Sequence, residues 1–352
     1  MLDKEQQAVV DRILSGESLY IEGPPGTGKT EIFNEVGRLT TKYAAFLPFT
    51  KAACAELKDR AQNVEYSDGV PVLKGQNITI QTINSYCQSQ LEQWPGSYEQ
   101  QLTSFLESKR KKKYSLVGID EVQDLRPIHL NVIKAIKNRQ LFAAGDRNQT
   151  IFVFSDAMGY RIFPELEKMH CSQVNLTNNY RSGRSITDIL TRLSRNPIVP
   201  KGPKTFGRDV VLARTHTQLK IISTTLKQQD VPHIIRGKDG ISTQVGEGKT
   251  NIYLMVLHAC KGLGFDRVFV EDWQENKGLP LRQEESNLVY VAVSRASHKF
   301  FVVDPILYYG YCTSTLKSSN YDTTSIRNLR DRLKEPSKPT VTTVAPSTHY
   351  FI

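Results

Sequence analysis

One eight-residue segment constrains the fold of this chain more than any other feature. Residues 23–30 read GPPGTGKT, follow the apolar residues Tyr20 and Ile21, and lead into a helical pattern. In such a strand, loop and helix arrangement, backbone N–H groups and the helix dipole surround phosphate oxygens. Lys29 is predicted to reach the β and γ phosphates of a nucleotide, and the Thr30 hydroxyl to ligate Mg²⁺.

The apolar runs of the chain predict buried parallel strands. They occur at 18–21, 44–49, 116–119, 141–144, 210–213, 252–257, 267–270 and 300–303. Continuous runs of this kind are typical of strands that are covered on both faces. Helical patterns at 30–39, 51–60, 128–136 and 185–194 lie between several of them. The alternation predicts a doubly wound α/β architecture.

A carboxylate pair follows one of these strands. The run 116–119 leads directly into Asp120 and Glu121, within the sequence DEVQD. At the end of a neighbouring strand, Asp120 is predicted to hold Mg²⁺, and Glu121 to orient and deprotonate the attacking water. With the phosphate loop, these residues predict hydrolysis of a nucleoside triphosphate.

Composition indicates an anionic partner. The 352 residues carry 46 Lys+Arg against 36 Asp+Glu, a net charge of +10, which favours nucleic acid. The run at 109–113 and the tail at 306–352 hold eight of these ten charges, so the rest of the chain is nearly neutral. We expect no membrane span, no signal peptide and free cysteines in a reducing compartment. A bacterial or viral host cytoplasm fits these expectations best, and the nucleus stays open.

Further motifs resemble those of the UvrD/Rep-type superfamily 1 helicases, and their order matches across residues 6 to 295. Residues 145–152 (GDRNQTIF) are similar to the GDxxQxIY motif, 179–182 (NYRS) match NYRS, and 289–296 (VYVAVSRA) match the last motif. The resemblance implies two RecA-like motor domains, each a mostly parallel sheet flanked by helices, with ATP at their interface. It also implies ATP hydrolysis coupled to 3′-to-5′ movement on single-stranded DNA.

The resemblance also assigns roles to single residues. Gln6 would read the adenine edge and Tyr180 would stack on it. Gln149 would sense the γ-phosphate, while Arg181 and Arg295 would neutralise charge on the transferred phosphoryl group. The residues expected to bind the nucleotide are Gln6, Gly23, Pro24, Pro25, Gly26, Thr27, Gly28, Lys29, Thr30 and Tyr180. Those expected to be catalytic are Lys29, Asp120, Glu121, Gln149, Arg181 and Arg295.

Nucleic-acid contacts follow from the same resemblance. The residues expected to contact the strand are Thr50, Lys51, Thr82, Phe154, Thr215 and His258. Phe154 occupies the position where relatives have tryptophan, and an aromatic face stacks on any base. The basic run at 109–113 reads either as an auxiliary grip on phosphates or as a solvated loop or localisation signal.

The chain departs from the family pattern in one motif and in its length. Residues 257–266 resemble HxxKGLEF, but Gly264 stands where relatives have a glutamate that contacts the ribose hydroxyl. Relatives carry two large inserted subdomains, whereas the gaps here span about 30 residues (87–116) and about 40 residues (214–258). We therefore expect a near-minimal motor that translocates on single strands but unwinds duplex poorly alone.

The domain boundaries follow from the motifs. We expect a first motor domain at 1–184 with a small insertion at about 62–113, a second at 185–305, and a C-terminal extension at 306–352. The aromatic end of that extension reads either as a docking peptide for a protein partner or as a disordered terminus. Two other functions stay open, an ATP-switched regulatory binding module and an RNA helicase. DNA is favoured because the motifs resemble the DNA-acting branch.

Overall fold

Two mostly parallel sheets, each covered by helices, make up the described part of the chain. The computed structural model describes residues 2–49, 51–60, 64–67, 70–73, 78–91, 96–109, 111–152, 157–237, 241–273, 282–304, 316, 321–325 and 328–335. The doubly wound α/β architecture predicted from the apolar runs is confirmed. Within the described part of the chain, no helix has both the length and the apolar character that a membrane crossing needs.

The first sheet has eight strands, in the order β3-β4-β5-β2-β6-β7-β1-β8. Its strands are β1 (Leu19–Glu22), β2 (Ala44–Leu47), β3 (Val64–Ser67), β4 (Val70–Leu73), β5 (Ile78–Ile80), β6 (Tyr114–Ile119), β7 (Lys137–Gly145) and β8 (Ser172–Asn175). Its helices are α1 (Lys4–Leu14), α2 (Lys29–Leu39), α3 (Lys51–Arg60), α4 (Ile83–Ser89), α5 (Tyr98–Glu107), α6 (Pro127–Ile136) and α7 (Ile162–Lys168). Only the β3–β4 and β4–β5 pairs are antiparallel among the described strands of this sheet.

The second sheet has seven strands, in the order β13-β12-β14-β11-β15-β16-β17. Its strands are β11 (Asp209–Ala213), β12 (His233–Arg236), β13 (Ser242–Val245), β14 (Ile252–Val256), β15 (Phe265–Glu271), β16 (Ala296–Val303) and β17 (Asp322–Thr324). The helices of this half are α8 (Arg184–Ser194), α9 (His216–Gln228), α10 (Arg282–Ser294) and α11 (Leu329–Lys334). Two short strands, β9 (Asn178–Asn179) and β10 (Val199–Pro200), pair with each other between the sheets.

Alternate residues of the central strands face two separate cores, which explains the continuous apolar runs. In β2, Ala45 and Leu47 face one cluster of buried side chains, while Ala44 and Phe46 face another. In β11, Val210 and Leu212 face one core and Val211 and Ala213 the other. Each strand is thus buried on both sides, as parallel sheets require.

Two segments are more integrated than the motif spacing suggested. The segment expected as a small insertion supplies β3, β4 and β5 to the first sheet, together with α4 and α5. In the segment expected as a C-terminal extension, β17 pairs with β16. Helix α11 places Leu329 and Leu333 in the core beside Phe301. The end of the extension, residues 336–352, lies outside the described residues.

Candidate nucleotide-binding site

The glycines of the phosphate loop allow a close approach by two other predicted site residues. Gly26 and Gly28 have φ values of +84° and +78°, which side-chain-bearing residues rarely adopt. A Cβ on Gly26 would lie 2.6 Å from the Cβ of Arg181, and one on Gly28 would lie 2.2 Å from Nε2 of Gln6. Any larger residue would therefore displace groups that are expected to contact the nucleotide.

Lys29 begins helix α2 and turns its ammonium back over the loop. Its Nζ donates to the carbonyls of Gly23 at 2.6 Å and Pro24 at 3.2 Å. The Thr27 hydroxyl also donates to the Pro24 carbonyl, at 2.9 Å. These bonds keep the loop compact and place a buried positive charge at the N-terminus of α2, where phosphate binding is favoured.

The carboxylate pair lies at the carboxyl end of β6, beside the loop. Asp120 is buried, and its Oδ1 accepts from the backbone N–H of Glu121 at 2.9 Å. Glu121 has a φ of +55°, an uncommon conformation for a residue with a side chain. The Gln123 amide donates to the Glu121 carboxylate. These bonds and this backbone turn aim both carboxylates into the space in front of the loop.

Lys261 brings a cation from the second half of the chain to this carboxylate pair. Its buried Nζ forms an ion pair with Asp124 and lies 3.5 Å from Oε2 of Glu121. Burial alone would raise the pKa of Glu121, but Lys261 and then Lys29 outweigh it and lower that pKa to about 2. Glu121 is thus ionised at neutral pH. For Asp124, burial outweighs Lys261 and raises the pKa to about 6.

Arg295 links the two sheets through Gln149. The guanidinium is 2% exposed, and one of its nitrogens donates to Oε1 of Gln149 at 3.0 Å. Nε2 of Gln149 donates in turn to Asp146 at 3.2 Å, and the Tyr290 hydroxyl donates to the same Asp146 oxygen at 3.0 Å. A second contact joins Asn287 to the Thr150 carbonyl at 2.8 Å. The GDRNQ segment therefore connects the cleft to helix α10.

Asn179 fixes the NYRS segment against the phosphate loop. Its buried side chain donates to the Pro25 carbonyl at 2.7 Å, and its Oδ1 accepts from the N–H groups of Arg181 and Ser182 at 2.9 and 2.8 Å. Arg181 also donates to the carbonyl of Ser294 at 3.3 Å. These bonds set the position from which Arg181 enters the cleft.

The side-chain amide of Gln6 forms hydrogen bonds to the protein backbone. Its Oε1 accepts from the N–H of Asp3 at 3.0 Å, as part of a capping box at the start of α1. Its Nε2 donates to the carbonyl of Thr27 at 3.0 Å. The Asp3 carboxylate accepts from the Tyr180 hydroxyl, and the Tyr180 ring is 38% exposed. Gln6 therefore ties α1 to the phosphate loop and, through Asp3, to the expected adenine-stacking residue.

The structure brings all six expected catalytic residues to one cleft of about 690 Å³, within the usual size of small-molecule sites. The residues of the sequence prediction that line this cleft are Gln6, Pro25, Gly26, Gly28, Lys29, Thr30, Asp120, Glu121, Gln149, Tyr180, Arg181 and Arg295. Gly23, Pro24 and Thr27 are not part of this lining; they make hydrogen bonds within the loop and to Lys29. Arg295 comes from the second half of the chain and the others from the first.

The expected nucleic-acid residues are more scattered. Thr82 caps α4 and is buried, and Thr215 caps α9 and is exposed. His258 is 22% exposed, and its ring centroid lies 6.0 Å from that of Phe152. Thr50, Phe154 and the side chain of Lys51 lie outside the described residues.

Several residues in or beside the cleft had no role in the sequence analysis; Lys261 and Phe206 line it, and Asn179 is buried beside it. Asn179 and Lys261 lie inside recognised motifs, and buried polar side chains in such motifs are a usable signal. Phe206 lies between β10 and β11, and it lines the cleft with Lys204 and Arg208. Its position depends on a contact with Gly264, 58 residues further along the chain, which no local pattern indicates.

The comparisons with known proteins agree with this architecture. The family model of an AAA domain matches residues 6–155, and that of the UvrD-like helicase C-terminal domain matches residues 238–304. No match was found among curated protein sequences.

Solved structures with a similar fold include the following. Arterivirus nonstructural protein 10 (helicase) is 18% identical with a TM-score of 0.51, and the match covers 87% of this chain and 64% of that one. A complex of that arterivirus protein with DNA is 19% identical with a TM-score of 0.50, covering 87% and 65%. A structure of two coordinating Pif1 helicases at forked duplex DNA is 13% identical with a TM-score of 0.49, covering 84% and 90%. The chain thus spans slightly under two thirds of the arterivirus protein.

The family follows from the cleft and the two family models together. They match 6–155 and 238–304, and the motif residues at their two ends meet in the cleft, where Arg295 contacts Gln149. The chain belongs to the UvrD-like helicases.

Proposed function

We propose that this protein hydrolyses ATP and uses the cycle to move along single-stranded DNA, in the 3′-to-5′ direction that the family resemblance implies. The observation that carries the proposal is the shared cleft. Lys29 and Glu121 come from the first sheet and Arg295 from the second, and all three line the same space. A nucleotide bound there would contact both halves of the chain. We therefore propose motor domains at 1–184 and 185–305.

The charges of the cleft suit phosphoryl transfer. Lys29, Arg181 and Arg295 supply positive charge where a triphosphate would lie, and such groups stabilise charge on the transferred phosphoryl group. The lowered pKa of Glu121, about 2, keeps its carboxylate ionised as a hydrogen-bond acceptor for the attacking water. A carboxylate this acidic is a weak base, so we assign it mainly an orienting role.

The cleft also offers a donor set for Mg²⁺. The Thr30 hydroxyl and the Asp120 carboxylate line the same space, and Mg²⁺ prefers oxygen ligands from one or two carboxylates plus substrate phosphates. Thr30 and Asp120 would hold the ion, which supplies neutralisation of phosphate charge when bound. The hydrogen bond from the Glu121 N–H to Asp120 orients that carboxylate.

Coupling would run through the contacts that join the halves. Arg295 bonds Gln149, and Tyr290 bonds the Asp146 carboxylate that Gln149 also contacts. ATP bridging the cleft would favour this closed arrangement, and product release would favour an open one. Alternation between the two would shift the grip on a strand that crosses both domains, with Thr82, Thr215 and His258 as proposed contacts.

Two alternatives differ in measurable ways. An ATP-switched binding module would hydrolyse ATP slowly, with no stimulation by nucleic acid. An RNA helicase would be stimulated more by RNA than by DNA of the same sequence. We favour DNA, and arterivirus nonstructural protein 10 has been solved in complex with DNA. The two large inserted subdomains of the relatives have no counterpart of that size in this sequence. We therefore also expect the purified monomer to displace duplex DNA poorly.

Steady-state ATPase assays with matched DNA and RNA oligomers test the proposal. We expect stimulation by single-stranded DNA, and loss of this activity in Lys29→Ala and Glu121→Gln proteins that melt at the wild-type temperature. Retained activity in both variants would refute the assignment of the cleft. Lys227→Ala, an exposed lysine on α9, is the matched control and should leave the rate unchanged.

A further inference from the structure

The ring of Phe206 lies against Gly264, the position at which the family resemblance implies a glutamate. A Cβ built on Gly264 would lie 2.3 Å from Cζ and 2.5 Å from Cε1 of Phe206. Such distances are far below ordinary contact, so the ring of Phe206 and a side chain at position 264 exclude each other. A residue with a side chain at position 264 would therefore require the Phe206 ring to move.

The loop that carries Phe206 is anchored at several points. The N–H groups of Phe206 and Gly207 donate to the two oxygens of Asp266, at 2.6 and 2.9 Å, and Asp266 is 2% exposed. Gly207 has a φ of +69°, which lets both N–H groups face one carboxylate. Arg208 donates to the Gly264 carbonyl at 2.9 Å. These bonds fix the backbone that carries the ring, and the ring itself lies against Gly264.

The anchored loop forms part of the nucleotide cleft. The N–H of Lys204 donates to the carbonyl of Arg181 at 2.9 Å, so the loop runs beside the NYRS segment. The Lys204 ammonium lies 5.5 Å from the centroid of the Phe206 ring. Among the described residues, the cleft lining contributed after position 200 contains no Asp or Glu; it consists of Lys204, Phe206, Arg208, Lys261, Gly262, Leu263, Gly264 and Arg295.

We propose that Phe206 packs against the sugar of the bound nucleotide, flanked by Lys204 and Arg208, and replaces a carboxylate hydrogen bond to the ribose. A ring contacts the carbon face of a sugar whether or not its hydroxyls are present. A site that hydrogen-bonds a hydroxyl strongly rejects analogues lacking it. The cleft therefore takes ribonucleoside and deoxyribonucleoside triphosphates alike. This inference rests on the proposed function, because it concerns the nucleotide of the same cleft.

Kinetics with sugar-modified nucleotides test the inference. We expect kcat/KM values for ATP, 2′-deoxyATP and 3′-deoxyATP to agree within about threefold, since no charged hydrogen bond to a hydroxyl is lost. Phe206→Ala should weaken binding of all three by about the same factor, on the order of fivefold for one aromatic contact. Tyr160→Ala, an exposed aromatic outside the cleft, is the control and should change none of them.

A double variant adds the opposite perturbation. Phe206→Ala with Gly264→Glu makes room for a carboxylate and should raise the preference for ATP over one deoxy analogue about tenfold, as expected for a charged hydrogen bond. If the double variant fails to fold, the kinetics of the single Phe206→Ala variant test the inference on their own.

The outcomes separate the inference from the proposed function. If wild-type protein hydrolyses ATP but loses more than tenfold in kcat/KM with either deoxy analogue, the inference fails and the ATPase stands. The inference also fails if Phe206→Ala changes the ratio between the nucleotides, or leaves binding of all three unchanged. If equilibrium dialysis of the Glu121→Gln protein shows no binding of ATP or either analogue, the proposed function fails and the inference with it.

Discussion

Replacing Arg295 by lysine isolates the geometry of the guanidinium from its charge. The side chain makes five hydrogen bonds, from three nitrogens to the Val291 and Leu263 carbonyls, the Ser294 hydroxyl and the Gln149 amide. The planar fork can meet these acceptors together, whereas an ammonium presents three donors from one point. The variant keeps the positive charge and loses the link to Gln149 or to the helix.

The magnitude follows from those contacts. Losing about two hydrogen bonds at about 1 kcal/mol each lowers the free energy of unfolding by about 2 kcal/mol. Loss of a transition-state arginine costs about 10³-fold or more in kcat, and we expect about 10²-fold for lysine because its charge is retained but displaced. Single-turnover hydrolysis in saturating ATP and single-stranded DNA measures this rate without interference from product release.

The control for this experiment is Arg195→Lys, which changes an exposed arginine at the C-terminus of α8. It should leave both the melting temperature and the hydrolysis rate at wild-type values. An Arg295→Lys protein that is folded and hydrolyses ATP within threefold of the wild-type rate would refute the reasoning, because the bond to Gln149 would then be dispensable.

Three further predictions concern buried polar groups. Lys261→Met removes the cation that most lowers the pKa of Glu121, so that pKa should rise and the acidic limb of the ATPase pH profile should move to higher pH; an unmoved limb contradicts this. Burial lowers the pKa of His129 to about 4, so its stability contribution is present above about pH 6.5 and is lost as the pH falls towards 4. His129→Gln keeps a hydrogen-bond acceptor at the third position of α6 but does not titrate in this range. Between pH 7 and 5 the unfolding free energy of this variant, measured by denaturant titration, should fall by about 2 kcal/mol less than that of the wild type. Equal losses in the two proteins contradict the prediction. Asn179→Asp replaces a donor to the Pro25 carbonyl by a carboxylate oxygen, so the affinity for ATP should fall about tenfold or more in a binding titration, and an unchanged affinity contradicts it.

The central strands were predictable because each is buried on both faces. The apolar run at 210–213 corresponds to β11, whose five residues are all buried. Edge strands were not predictable in this way. Strand β8 has the sequence SQVN with no fully buried residue, and β17 has the sequence DTT. Such strands are defined by hydrogen bonds to β1 and β16, which are tertiary contacts and leave no local hydrophobic pattern.

The residues of the site also differ in whether a local sequence pattern could predict them. Residues of the phosphate loop and the carboxylate pair were found because their chemistry requires a fixed local order around a strand end. The ion pair of Lys261 with Asp124 joins residues 137 positions apart. The contact of Phe206 with Gly264 also joins distant residues, and only the packed structure shows that the ring excludes a side chain there.

Single-strand translocation is the most direct test of the central claim that ATP in this cleft drives movement. Stopped-flow fluorescence would follow arrival of the protein at a dye on the 5′ or the 3′ end of DNA strands of increasing length. The account predicts an ATP-dependent lag that grows in proportion to length for the 5′-end dye, and no such lag in Glu121→Gln protein. ATP hydrolysis without any length-dependent lag at either end would contradict it.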